Sequence, residues 1–352
     1  QLDQLLNHPR LLENGTLNLP LLSAIADMME RCGLPPIGQL DQLLNHPRLL
    51  ENGALNRPVF RAIADMMHRR ELPLMEELDQ LLNHPRLLEN GALNRPVFCA
   101  IANMMLGRGL PPMGELDPIL NHPRLLETGA LNQPVFCAIA NMMRQRGLPS
   151  MGELDPLLNH PRLLENGALN QPVFCAIASI MDFRGLPRIS QLDRFLLYPC
   201  LQETTGWNLP VFWAVASMTY GRGYPRIRDV ERLVNHPRLQ ENGTLNLPLL
   251  SAIASMMNRR GLPQLRELEE LLNHPRLQEN GALNLPLLSA IAGMMKGHGL
   301  PRLRELDELL NHPRLQENGA LNLPLLSNIA ATRYRLGIPP LPYMDAIIQQ
   351  HL

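Results

Sequence analysis

Three positions recur at a fixed interval and carry the chemistry of this chain. The stretch AIANMMRQRGLPS at Ala138–Ser150 returns as AIANMMLGRGLPP at Ala100–Pro112 and as AIASIMDFRGLPR at Ala176–Arg188. The frame holds while its middle changes. The first position reads Asp27, Asp65, Asn103, Asn141, Ser179, Ser217, Ser255, Gly293 and Ala331, always small and mostly polar. The second reads Glu30, His68, Leu106, Arg144, Asp182, Tyr220, Asn258, Lys296 and Tyr334. Its neighbour reads Arg31, Arg69, Gly107, Gln145, Phe183, Gly221, Arg259, Gly297 and Arg335. On a helix such residues stand at i, i+3 and i+4 and share one face. Carboxylates, amides and hydroxyls can hydrogen-bond base edges, and arginine, tyrosine, histidine or phenylalanine can stack on bases. The candidate base readers are therefore Asp27, Glu30, Asp65, His68, Asn103, Leu106, Asn141, Arg144, Ser179, Asp182, Phe183, Ser217, Tyr220, Ser255, Asn258, Gly293 and Lys296. An arginine follows in Arg70, Arg108, Arg146, Arg184, Arg222 and Arg260, and is a candidate phosphate contact. The same arginine would also complement the dipole at a helix C-terminus.

The elements that present these residues are set by one repeat. LDQLLNHPRLLENG at Leu2–Gly15 recurs every 38 residues, with copies starting at residues 1, 39, 77, 115, 153, 191, 229, 267 and 305. Nine copies occupy residues 1–342, and residues 343–352 are expected to cap the array. The chain opens at Gln1 inside a copy, as expected of an array cut from a longer protein. In the copy at residues 153–190, Asp155 is expected as an N-cap with Pro156 at the first helical position. Pro161 should break that helix, and Arg162–Asn166 should add a further helical turn or two, stopped by Gly167. Asn170 should cap a longer helix running to about Arg184, ended by Gly185 and Pro187. No stretch alternates with a strand's period. Units of this kind cannot bury their apolar faces alone, so the expected fold is an all-α α-solenoid.

Phe174, Ile177, Ala178 and Met181 share the face expected to be core. Asn-His-Pro-Arg-Leu and the following Glu-Asn-Gly hold in nearly every copy, at polar sites expected to be exposed in part. That constancy favours selected variation at the three changing positions, with drift as the alternative. The histidine repeated in that motif appears once in each of eight copies, so it is expected at a structural joint; zinc needs several ligands converging on one ion. The arginine after its proline (Arg10, Arg48, Arg86, Arg124, Arg162, Arg238, Arg276, Arg314) is expected to pair with an acid. No metal site, cofactor, catalytic constellation or small-molecule substrate is expected. The sixth copy departs from the others and gathers Tyr198, Trp207, Trp213, Tyr220 and Tyr224.

Cys99, Cys137 and Cys175 occupy one place in successive copies, about 10 Å apart by helix packing, too far for a disulfide. Reduced thiols point to an intracellular, reducing compartment: cytoplasm, organelle stroma, or a host cell into which the protein is delivered. Net charge is −1, which weighs against a nucleic-acid partner, and Lys296 is the only lysine. No apolar run is long enough to span a bilayer, and no membrane partner is expected. A monomer is expected.

The 38-residue length, the Ala-Ile-Ala-x-Met-Met-x-x-Arg-Gly-Leu-Pro-Pro core and the Pro-rich junction resemble the octotricopeptide repeat family. LPPMGEL at Leu110–Leu116 is similar to that family's Pro-Pro-Pro-Glu-Trp signature, but Gly114 precedes Glu115 and no tryptophan follows. The resemblance implies a helical array engaged in organellar RNA processing and translation. LNLPLLSAIAS at Leu245–Ser255 resembles the opening of a transcription-activator-like effector repeat. There the next residues read DNA; here they are Met256 and Met257, expected in the core. The expected function is modular binding of single-stranded RNA, about one base per repeat. The alternatives are modular DNA binding and a protein-binding scaffold or bacterial effector that recognises a host protein.

Overall fold

The computed structural model of the chain describes residues 7–13, 16–32, 37–51, 54–66, 75–203, 206–279, 282–317, 320–332, 337–338 and 341–350. The fold is an all-α solenoid. Its repeats divide into two compact units, residues 1–178 with 182–187 and residues 179–181 with 188–352. Within each unit the long helices of successive repeats pack side by side. The helix Leu341–Gln349 packs on the 3-10 turn Pro313–Leu315 and buries Ile348.

The fourth copy shows the unit. A short helix, Met113–Leu120, leads into the 3-10 turn Pro123–Leu125. A hairpin of two-residue strands follows, Leu126–Glu127 with Ala130–Leu131, and then the long helix Gln133–Met142. The apolar residues fall where the 3.6-residue period puts them. Leu116, Ile119, Leu120 and Leu125 are buried, as are Val135, Phe136, Ile139 and Met142. Asn132 caps the long helix, its side chain accepting from the Val135 N–H at 3.1 Å. Asn170 does the same for Val173 in the next copy, as the sequence predicts.

Four expectations are corrected. Asp155 is not an N-cap: it lies inside the helix Met151–Leu158, and so does Pro156. A mid-helix proline removes one hydrogen bond and crowds the carbonyl four residues back. In the two copies that carry it, that carbonyl belongs to an exposed glycine, Gly114 or Gly152, open to water.

The segment after Pro161 is not a further helix. Only Pro161–Leu163 is helical, as a 3-10 turn, and Leu164–Glu165 pairs with Ala168–Leu169. Asn166 (φ 51°) and Gly167 (φ 80°) are both left-handed. Two consecutive positive-φ residues between strands make the type I′ turn that closes two-residue hairpins.

The long helix also ends early, at Ile180 rather than about Arg184. Its last carbonyls are served from outside the helix. In the copy before, the carbonyls of Asn141 and Met142 accept from the backbone N–H groups of Phe183 (3.1 Å) and Gly185 (2.8 Å) in the next repeat. The same pair recurs from Gln145 and Gly147 to Asn103 and Met104, and from Arg259 and Gly261 to Ser217 and Met218. A turn of the following repeat thus satisfies groups that a helix end leaves unpaired.

In three described copies the arginine after the repeated proline pairs with an amide, where an acid was expected. Arg48, Arg86 and Arg124 donate through Nε to Asn83, Asn121 and Asn159 of the next repeat, at 2.9, 3.0 and 3.0 Å. Nη1 of each reaches the glycine carbonyl of the next hairpin: Gly91, Gly129 and Gly167. The asparagine amide in turn donates to the short helix, as Asn121 does to the Asp117 carbonyl.

The histidine is the joint the sequence predicts. Nε2 of His46, His122 and His274 lies 2.6, 3.1 and 3.1 Å from the carboxylate of Asp79, Asp155 and Asp307, one repeat on. Nδ1 of His46 and His122 accepts the backbone N–H of Arg48 and Arg124. A ring nitrogen that accepts carries no proton, so the proton sits on Nε2 and points at the acid. These histidines are buried.

Candidate functional site

From the third copy to the eighth the three changing positions do not share one helix face: only the first lies on the long helix, and the second and third lie on the turn that follows it. In every described copy from the third to the eighth the third position is left-handed: Gly107, Gln145, Phe183, Gly221, Arg259 and Gly297 have φ between 61° and 76°. Its three glycines are therefore a conformational preference of the turn. The constant polar frame is likewise held by bonds between repeats, so its constancy has a structural cause of its own.

The residues expected at the surface are placed as follows. Asn141 is exposed, while Asp65, Asn103, Ser179, Ser217, Ser255 and Gly293 are half-buried. At the second position Leu106, Arg144, Tyr220, Asn258 and Lys296 are half-buried, and Asp182 is buried, 3% exposed. Phe183 is 46% exposed. Asp27 and Glu30 lie in the helix Leu19–Cys32. His68 and Arg70 lie outside the described residues.

The second position of one repeat meets the third position of the next. The Arg144 guanidinium carbon stands 4.7 Å from the centre of the Phe183 ring, and that of Arg259 stands 4.4 Å from the Tyr220 ring. These are cation–π pairs, with the cation first in one case and the ring first in the other. Asn258 faces Gly297 across the same step, its carbonyl 3.6 Å from where a Cβ would stand. The sequence holds this signal at a spacing of 39 residues, one more than the repeat, which reading the columns separately misses.

The candidate phosphate arginines repeat one arrangement within each unit, Arg108 and Arg146 in the first and Arg222 and Arg260 in the second. Arg108, Arg146, Arg222 and Arg260 are exposed, and each donates through Nε to a third-position carbonyl of the next repeat: Gln145 (3.1 Å), Phe183 (3.2 Å), Arg259 (2.9 Å) and Gly297 (2.9 Å). Arg184 is exposed in the same register. Nη1 and Nη2 of the four bonded arginines make no hydrogen bond among the described residues. The guanidinium is held by one edge and presents the other.

Five aromatics of the sixth copy pack into one cluster. Phe195 packs against Tyr198, Phe212 and Tyr224 at 5.2, 5.4 and 4.8 Å, and Trp207 meets Phe212 edge-on. Trp213 stays outside, 41% exposed. It replaces the cysteine of earlier copies and lines a groove of about 620 Å³ with Ser217, Leu247, Ser255, Asn258 and Lys296. Two other grooves lie beside hairpins and carry acids: Arg86 with Glu89 and Glu127, and Arg48 with Glu51.

Cys99, Cys137, Cys175 and Cys200 are free thiols. Burial pushes all four up from the ordinary cysteine range. For Cys137 the neighbouring Cys175 and Cys99 add to it. No cluster of three or more metal-ligating side chains occurs among the described residues. Among them, no helix is long and apolar enough to cross a membrane. The chain matches no protein-family model, no curated protein and no solved structure.

Proposed function

We propose that this chain binds single-stranded nucleic acid, RNA foremost, with successive repeats meeting successive nucleotides. The observation that carries the reading is the exposed arginine repeated in one register within each unit, Arg108 and Arg146 in the first and Arg222 and Arg260 in the second. Each is fixed through Nε to the neighbouring repeat, so its outer nitrogens need little further ordering to engage a phosphate. The small polar first positions accompany these arginines, with the Arg144–Phe183 pair in the first unit and the Arg259–Tyr220 pair in the second. Exposed rings and guanidinium planes are platforms on which unpaired bases stack. Because the second and third positions interact across repeats, the unit of recognition is a junction between two repeats.

The test is selection from randomised pools of single-stranded RNA, single-stranded DNA and duplex DNA, read by sequencing. A motif enriched from the RNA pool is the expected result, lost when the four arginines are changed to glutamine. Enrichment from no pool at low salt refutes the reading.

A protein ligand is the second reading. Net charge of −1 and the carboxylates of the hairpin grooves, Glu51, Glu89 and Glu127, favour it. Those grooves suit a basic or polar peptide segment and repel phosphate.

A further inference from the structure

We propose that the groove between the hairpins of the third and fourth copies binds an arginine-bearing segment of a partner protein, its guanidinium seated on Glu89 and Glu127. The inference rests on the protein-ligand reading and deepens it by naming one site and the side chain it takes. The site shares no residue with the turn arginines of the nucleic-acid reading.

The neighbouring groove of the same unit shows the occupant. Between the hairpins of the second and third copies, Arg95 Nη1 stands 3.4 Å from the Glu51 carboxylate. Arg95 opens the long helix Arg95–Met104 and reaches back 44 residues, into the repeat before its own. The same step leads from Gln133 to Glu89 and from Gln171 to Glu127. All four of these residues line the groove between the third and fourth copies. Glutamine carries no charge, so these two carboxylates lack the cation that Glu51 receives from its own chain. Each accepts one amide through Oε2, Glu89 from Asn94 and Glu127 from Asn132, both at 3.2 Å. Oε1 of each makes no hydrogen bond among the described residues, and both side chains are exposed.

Charge separates the two grooves. Where the helix begins with arginine, Arg48 and Arg95 stand against Glu51 alone. Where it begins with glutamine, Arg86 alone stands against Glu89 and Glu127. Arg86 is already committed to the scaffold, through Nε to Asn121 at 3.0 Å and through Nη1 to the Gly129 carbonyl at 2.6 Å. The groove is thus one positive charge short, and a cation is favoured in it. Its volume of about 600 Å³ admits a long side chain with its backbone. Pro85, Leu88, Leu131 and Pro134 offer apolar surface to an aliphatic stem. The two carboxylates and the Gln133 amide oxygen can accept the N–H groups at its head. A guanidinium grips a carboxylate bidentately, which an ammonium cannot do, so arginine is preferred over lysine.

The test uses the full chain and the fluorescein-labelled peptide Gly-Gly-Arg-Gly-Gly, followed by fluorescence anisotropy at low salt. The arginine peptide is expected to bind. Its counterpart with citrulline, which keeps the shape and loses the charge, is expected not to. Glu89→Gln preserves an acceptor for Asn94 and should weaken binding at least about threefold, within what one exposed ion pair contributes. Gln133→Arg gives the fourth copy the arginine that the third already carries, so it should fold, fill the groove and weaken binding by at least the same factor. Gln264→Arg makes the same charge change at an exposed place in the second unit and should leave the affinity unchanged. Absence of binding, equal binding of the citrulline peptide, an unchanged affinity in Glu89→Gln, or equal weakening by Gln133→Arg and Gln264→Arg overturns the inference. A protein partner held equally well by the Gln133→Arg chain would leave the protein-ligand reading standing and remove this site from it. The expected pattern of peptide binding supports the site whatever the nucleic-acid selection returns, because the arginines tested there lie elsewhere.

Discussion

A glycine placed at Gln145 should stabilise this protein, against the usual sign of such a change. Gln145 is left-handed, with φ 62°. An L-residue pays about 1–2 kcal/mol in that region. Its N–H is bonded to the Asn103 carbonyl at 3.0 Å, and its own carbonyl receives Arg108 Nε at 3.1 Å. Both bonds are made by backbone atoms of residue 145 and survive the substitution. The side chain is exposed and makes no hydrogen bond among the described residues. Glycine loses more backbone freedom on folding, about 0.5–1 kcal/mol. The difference leaves a net gain of about 0.5–1 kcal/mol for Gln145→Gly. The control is Ala138→Gly in the same repeat, inside the long helix, which should cost about 1 kcal/mol. Urea unfolding followed by far-ultraviolet circular dichroism should show midpoints moving in opposite directions. Amide exchange at Gly147 reports the same junction locally. If Gln145→Gly lowers the midpoint as Ala138→Gly does, the turn does not impose its conformation on the third position, and the glycines there need another cause.

Three further outcomes are expected. His122→Ala and Asp155→Ala should be coupled by about 0.5–1 kcal/mol in a double-mutant cycle on stability, modest because Asp155 is largely solvated; strictly additive effects would refute the joint. Arg144→Leu and Phe183→Leu should likewise couple by about 0.5–1 kcal/mol, and a cycle on unfolding midpoints that closes at zero would refute the pair. The half-buried thiols Cys99, Cys137 and Cys175 have raised folded-state pKa values, so their contribution to stability is complete below the ordinary cysteine value of about 8.5 and is lost as pH rises through the folded values. Thermal midpoints should fall on the alkaline side of pH 8.5, less so when all three are alanine, and unchanged pH dependence in that variant would refute the assignment.

What was legible in the sequence was what lies within one repeat. The 38-residue period, the buried face of Phe174, Ile177 and Ala178, and the Asn170 cap are local patterns, and each stands where it was expected. The hairpin escaped because two-residue strands are too short to alternate; its signal was the Asn166-Gly167 pair, a type I′ turn dipeptide read instead as a helix stop. The remaining errors arise between repeats. Asp155 resembles a cap beside Pro156, yet its partner is His122, 33 residues earlier. Arg124 was expected to find an acid, yet finds Asn159. The long helix stops four residues before Arg184 because its C-terminal carbonyls are bonded by the next copy. For the candidate site, the residue types were legible, and the Arg144–Phe183 pairing was not, because it joins different columns of the repeat.

Among the described residues, the backbone bonds from a turn to the helix before it give a repeat two unlike ends. One end offers N–H donors, as Gln145 and Gly147 do, and the other offers acceptors, as Asn141 and Met142 do. The side-chain joint has the same polarity, from His122 and Arg124 on one repeat to Asp155 and Asn159 on the next. An in-frame duplication of 38 residues therefore brings its own plug and its own socket. It can enter at an existing junction and leave every bond in the frame matched. Growth or shrinkage of the gene by whole copies is then structurally silent, and length becomes a trait that selection can adjust in steps of one repeat.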